Sequence, residues 1–120
     1  SGGVSKTVSY ILKEKNIEHF IASRFPKGDM IEYQQIHNIM NEVQMIINTT
    51  PVGQYPRIEF CPNLPYNLIS KHHICIDLIY NPVKTYFLKK AQDQGATIIN
   101  GKKMLIRQAE ESWKIWNELI

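Results

Sequence analysis

Hydrophobic positions along the chain change their period several times, and each change marks an element. Val4, Val8, Ile11 and Leu12 recur at spacings of four, three and one, the apolar face of a helix running through Leu12. Ile17 to Ser23 reads as a strand, Tyr33 to Val43 as a short helix with Ile36, Ile39, Met40 and Val43 inward, and Gln44 to Asn48 as another short strand. The strongest signal begins at Ile74, where a run that is apolar except for Asp77 leads directly into Asn81-Pro82. A run so continuous predicts a strand covered on both faces, as in a parallel sheet. Asn81 is the expected N-cap and Pro82 the expected first position of a helix over about Val83 to Gln94, with Phe87, Leu88 and Ala91 inward and Gly95 as its stop. Ala96 to Ile99 is a last strand, Asn100-Gly101 a turn, and Lys103 to Leu119 a final helix with Leu105, Ala109, Trp113 and Trp116 on its inner stripe. Residues 55 to 73 are loop-rich, with one short helix near Tyr66 to Ser70.

Alternating strands and helices predict an α/β fold, in which the loops leaving the carboxyl ends of the strands form the ligand rim. Tyr80 and the loop Thr49 to Pro56 belong to that rim. With 120 residues, 43% hydrophobic and 21% charged, the chain is a single ordinary globular domain. No apolar run approaches the roughly 20 residues of a membrane helix. No signal-peptide pattern opens the chain, and Cys61 and Cys75 cannot make a disulfide framework, so a reducing cytoplasm is the expected setting. A net charge of +3, spread along the chain, is too weak and unclustered for nucleic acid but suits a polyphosphate cofactor. His72 and His73 are adjacent and point apart on any regular element, so no metal site is expected.

Two weaker signals combine. Gly2-Gly3 opening a helix lets backbone N–H groups approach a pyrophosphate, although by itself the pair favours a flexible end before a surface helix. A P-loop does not fit, because Ser5 stands where the second glycine should be. About 20 residues on, the next strand ends in Ser23-Arg24 with Lys27 close by, where an NAD-binding unit would place an acidic residue. Basic residues there suit a 2′-phosphate, and hence NADP.

The segment Asp77-x-x-Tyr80-Asn81-Pro82-x-x-Thr85-x-Phe87-Leu88 resembles shikimate dehydrogenases. So do the loop Asn48-Thr49-Thr50-Pro51-Val52-Gly53 and the closing Asn100-Gly101-x-x-Met104-Leu105-x-x-Gln108-Ala109. Gln54, Lys102 and Phe25 depart from that pattern without removing a charged ligand. The resemblance implies a Rossmann-like parallel sheet with helices on both faces, lacking here its first strand and the first glycine of the fingerprint. It implies a phosphate cradle at Ser1, Gly2, Gly3 and Val4, and an adenosine 2′-phosphate site at Ser23, Arg24, Phe25 and Lys27. Thr49, Leu78 and Gly101 would lie along the cofactor, with Tyr80, Gln108 and Met104 at the substrate ring. The implied activity is NADPH-dependent, reversible reduction of 3-dehydroshikimate to shikimate, in aromatic amino-acid synthesis. The family's catalytic lysine–aspartate pair and N-terminal substrate domain have no counterpart in these residues, so turnover by this chain alone is not expected. A homodimer stays open. The competing readings are an NAD-using quinate/shikimate dehydrogenase, a non-catalytic nucleotide-binding module, and a structural piece unable to close its sheet.

Overall fold

The computed structural model describes residues 2 to 101 together with Lys103 and Arg107. Helix α1 (Gly2–Glu14) leads, after a long irregular stretch, to strands β1 (Met45–Asn48) and β2 (Ile74–Asp77), helix α2 (Tyr86–Asp93) and strand β3 (Thr97–Asn100). Short 3-10 turns occupy Tyr33–Asn38 and Tyr66–Leu68. The three strands pair in the order β1-β2-β3, all parallel, as the continuous apolar run at Ile74 predicted. The central strand is the most buried, with Cys75 and Asp77 wholly inaccessible.

One face of this sheet carries the core. Phe87, Leu88 and Ala91 of α2 pack on Cys75, with the half-buried Ile46 and Ile98 of the outer strands beside them. Complete burial of side chains such as Phe87 and Leu88 contributes about 1.5–3 kcal/mol each. Ile36 and Met40, expected inward, join the same cluster from the 3-10 turn and the residues after it. His73 is buried with both ring nitrogens engaged: Nδ1 accepts from the Ser70 N–H at 3.0 Å, so Nε2 donates to the Met40 carbonyl at 2.9 Å. It is a structural histidine.

Both long helices stop by the same device. In α2, Gly95 takes φ +93°, its N–H reaches the Gln92 carbonyl, and Ala96 N–H reaches that of Ala91. This Schellman closure is the stop expected of Gly95. In α1, which runs two residues beyond Leu12, Asn16 takes the left-handed position at φ 57°, with Asn16 N–H on Lys13 and Ile17 N–H on Leu12. Asparagine tolerates that conformation better than most side chains, and its role as a stop went unread in the sequence.

Two expectations are corrected. Asn81 and Pro82 do not start the second helix: their peptide bond is cis, residues 81 to 84 form a bend, and α2 begins at Tyr86. Thr85 is the N-cap, its Oγ1 accepting the Leu88 N–H at 3.3 Å. Thr85 wins because it is wholly buried and tied to the sheet, whereas Asn81 is exposed and its carbonyl is taken by the Tyr55 N–H. The second correction concerns Ile17 to Ser23, which forms no strand; it makes a single parallel bridge, Ala22 with Ile31. A strand needs a ladder, and among the described residues only Ile31 pairs with this segment. The helix expected over Lys103 to Leu119 lies outside the described residues except at Lys103 and Arg107, both helical.

The thiols test this packing. Burial pushes the Cys75 thiol up to about 11, while Cys61 is half-buried. A thiol reagent at pH 8 is expected to label Cys61 in the folded chain and Cys75 only after unfolding in urea. Equal labelling rates for the two in native buffer would contradict the core described here.

Candidate functional site

Each strand ends on a polar residue, and register places the three in one row: Asn48 opposite Asp77, and Asp77 opposite Asn100. Asp77 is the middle of the row and completely inaccessible. Its carboxylate accepts the Thr85 hydroxyl at 2.6 Å, the Ile79 N–H at 3.0 Å and the Asn48 side-chain amide at 3.2 and 3.3 Å. Burial raises the Asp77 pKa above the ordinary carboxylate value, and these donors pull in the opposite direction.

From this row three loops are fixed. Asn48 Oδ1 accepts both the Thr50 N–H at 3.0 Å and the Thr50 hydroxyl at 2.7 Å, folding the segment after β1. Asn100 donates from its side-chain amide to the Ile79 carbonyl at 2.8 Å and the Val83 carbonyl at 3.0 Å, clasping the loop after β2. The Asp77 carbonyl accepts the Gly101 N–H at 2.8 Å, which continues the ladder past β3. Gly101 admits no side chain, because a Cβ would fall 2.5 Å from Ile76 Cγ2 and 3.2 Å from Leu78 Cδ2. Ile76 of β2 and Leu78 just after that strand are thus its neighbours.

Thr49, Leu78, Tyr80 and Gly101 therefore gather on one edge of the sheet, following the carboxyl ends of three adjacent parallel strands. They differ in access. Leu78 and Gly101 are buried, Thr49 is half-buried, and Tyr80 is 66% exposed, so its ring stands at the edge where a ligand would meet it. Asp77 is sealed from that edge and cannot serve as a general base, so the arrangement is suited to binding and orienting a ligand.

The other expected residues lie off this sheet. Ser23, Arg24, Phe25 and Lys27 follow the Ala22 bridge in an exposed loop closed by the Met30 N–H on the Lys27 carbonyl. Ser23 Oγ accepts the Phe25 N–H at 3.1 Å, and the Arg24 guanidinium lies 5.7 Å from the Phe25 ring centroid. Among the described residues neither Arg24 nor Lys27 pairs with a carboxylate, so a phosphate group would find two accessible cations. Gly2, Gly3 and Val4 form the first turn of α1. A Cβ at Gly3 would meet nothing within 4 Å, so packing within the chain does not require glycine there, and the space suits the close approach of a pyrophosphate. The residues present fit a phosphorylated dinucleotide. Ser1, Met104 and Gln108 lie outside the described residues.

The polar row was missed as an organiser. Its signal was present: Asn48, Asp77 and Asn100 each interrupt or close an apolar strand run, and Thr85 follows Asp77 at a distance of eight residues.

No family profile matches the chain. Shikimate dehydrogenase (NADP(+)) of Methanosphaera stadtmanae is 35% identical over 97% of this chain, which covers 47% of that protein. Among solved structures, shikimate dehydrogenase from Aquifex aeolicus is 32% identical with a TM-score of 0.72, over 96% of this chain and 45% of its own. The Thermus thermophilus enzyme, solved with NADP(H) and shikimate, is 25% identical with a TM-score of 0.69, over 94% of this chain and 45% of its own. The chain spans about half the length of the curated relatives it matches, 47% in the first of them, and corresponds to their C-terminal half. The parallel sheet with its helices is the Rossmann-like fold of these proteins.

The Asp77 cluster makes a stability prediction. In Asp77→Asn the new NH2 group would face donors, so the variant should lose about 1–3 kcal/mol in urea unfolding at pH 7. The sign with pH follows from the raised pKa. The folded chain holds the proton to higher pH than the unfolded one, so this contribution is full below the unfolded carboxylate value of about 3.9 and is lost as pH rises through the folded value. The wild type should show that loss and Asp77→Asn should not. Identical pH profiles for the two would contradict the assignment.

Proposed function

We propose, on the premise that this chain is homologous to the C-terminal half of shikimate dehydrogenases, that it is the cofactor-binding part of an NADP-dependent shikimate dehydrogenase. The reaction is the reversible reduction of 3-dehydroshikimate to shikimate, a step of aromatic amino-acid synthesis. The observation that carries the reading is the single sheet edge on which Thr49, Leu78, Tyr80 and Gly101 meet, organised by Asn48, Asp77 and Asn100.

NADPH, when bound, supplies the hydride. The α1 N-terminus with Gly2, Gly3 and Val4, preceded by Ser1, holds the pyrophosphate through main-chain amides and the positive end of the helix dipole. Arg24 and Lys27, with Ser23 and Phe25, hold the adenosine ribose and its 2′-phosphate. Thr49, Leu78 and Gly101 line the nicotinamide side, where buried apolar contact at Leu78 and the bare backbone of Gly101 keep water away. Tyr80 donates a hydrogen bond to the substrate ring, and Gln108 and Met104 complete that contact. Proton transfer belongs to the lysine–aspartate pair of the N-terminal substrate domain, the partner this reading requires. A cytoplasmic setting belongs to the same reading, and two free cysteines accord with it. Among the described residues no helix is long and apolar enough to cross a membrane.

Isothermal titration with NADPH and NADH tests the cofactor assignment. NADPH should be preferred, and Arg24→Ala should lower that preference about 10- to 100-fold, the value of one charge-assisted hydrogen bond of about 1.5–3 kcal/mol. NADH affinity should change little. Equal loss for both cofactors, or no NADPH preference in the wild type, would remove the 2′-phosphate site from Arg24.

A further inference from the structure

The loop from Ser23 to Met30 presents an aromatic ring that the chain's own packing does not use. Phe25 is 76% exposed, the most of any large apolar side chain among the described residues, and it does not join the core cluster. A single apolar side chain on a surface is ordinary. This one differs in how firmly its backbone is held and in what stands beside it.

The loop is closed at its base, where Ser23 N–H reaches the Ile31 carbonyl at 3.0 Å and Ile31 N–H reaches the Ile21 carbonyl at 2.8 Å. Ser23 Oγ accepts the Phe25 N–H at 3.1 Å, a local turn that sets the backbone leading to the ring. Pro26 fixes its own φ and steers Phe25 towards extended backbone. The Met30 N–H on the Lys27 carbonyl at 3.1 Å, with Gly28 at φ +59°, closes the far side. A ring carried on such a loop has lost much of its freedom before a ligand arrives, so stacking on it costs little ordering entropy. The Arg24 guanidinium lies over one face of the ring, 5.7 Å from its centroid, within the range of a cation–π contact. The other face is open to solvent, as the exposure of Phe25 requires. A phosphate group gains nothing from that open face, whereas a flat heteroaromatic base stacks on it.

We propose that Phe25 is the platform on which the adenine base of the cofactor stacks. The loop then reads its ligand in two separate parts, the base on the open face of Phe25 and the 2′-phosphate on Arg24 and Lys27. This inference rests on the reading of the loop as the adenosine site, and it gives the ring a share in that site which does not depend on the phosphate. Stacking is available to an adenine nucleotide with or without a 2′-phosphate, because the base presents the same π-face in both. Phe25 therefore raises the affinity for NADPH and NADH alike, and discrimination between them falls to the two cations. Ser23 contributes through the turn that aims the ring.

The test is isothermal titration of the full 120-residue chain with NADPH and with NADH, comparing wild type, Phe25→Ala and Phe25→Tyr. Phe25→Ala should lower the affinity for both cofactors about 5- to 100-fold, the range for one base stacked on an aromatic side chain, and leave their ratio unchanged. Phe25→Tyr keeps the ring and should keep both affinities at the wild-type level. In proton NMR, the adenine H2 and H8 resonances of adenosine 2′,5′-bisphosphate should move upfield on binding to the wild type and not on binding to Phe25→Ala. If Phe25→Ala weakens NADPH alone, or weakens neither cofactor, the proposal is overturned while the 2′-phosphate site stands. A joint loss that also appears in Phe25→Tyr would equally overturn it. Equal wild-type affinity for the two cofactors, with joint loss in Phe25→Ala alone, would uphold the platform and remove the phosphate site instead. Binding of neither cofactor by the wild type would overturn both.

Discussion

One buried carboxylate organises the candidate-site edge of this chain. Asp77 lies at the end of the central strand, wholly out of water, and its oxygens accept hydrogen bonds from β1 through Asn48, from its own following loop through Ile79, and from the start of α2 through Thr85. Leaving such a group without donors would cost several kcal/mol, so the surrounding backbone has little freedom to move. The loops that carry Thr49 and Tyr80 inherit their positions from that constraint. Asn100 adds the third strand by tying the carbonyls of Ile79 and Val83 to β3. The sheet supplies the base, and the polar row shapes its edge.

Helix α2 depends on the same group. Thr85 uses its oxygen twice, accepting the Leu88 N–H as a helix cap and donating to Asp77. The helix that seals the core over Cys75 therefore starts where the site requires. Stability and site geometry meet at one hydroxyl, and the bend at 81 to 84 is the length of chain left between strand and cap.

What was legible in the sequence was local. The apolar run of β2, the spacing of Phe87, Leu88 and Ala91, and the stop at Gly95 each follow from periodicity or from one residue's backbone preference. The start of α2 was misread because Asn-Pro is a strong local cap signal, whereas Thr85 gains its role from Asp77, eight residues back and on another element. Ile17 to Ser23 was read as a strand from its composition, but strand pairing belongs to the neighbours, and among the described residues only Ile31 pairs there. The place of Tyr80 and of the loop from Thr49 on the rim followed from the parallel order, whereas that of Leu78 and Gly101 came only from the resemblance to shikimate dehydrogenases. The polar row that holds them did not, since register between strands 29 and 23 residues apart is a tertiary fact.

The central claim is that Asn48 and Thr85, which belong to different elements, act through one shared carboxylate. A double-mutant cycle of Asn48→Ala and Thr85→Ala in urea unfolding measures this directly. The combined variant should lose more than the sum of the two single losses, with the excess above about 0.5 kcal/mol, because the second deletion strips a carboxylate already short of donors. Losses that add to within about 0.3 kcal/mol would mean the two side chains are independent. Asp77 would then be only one buried polar group among several.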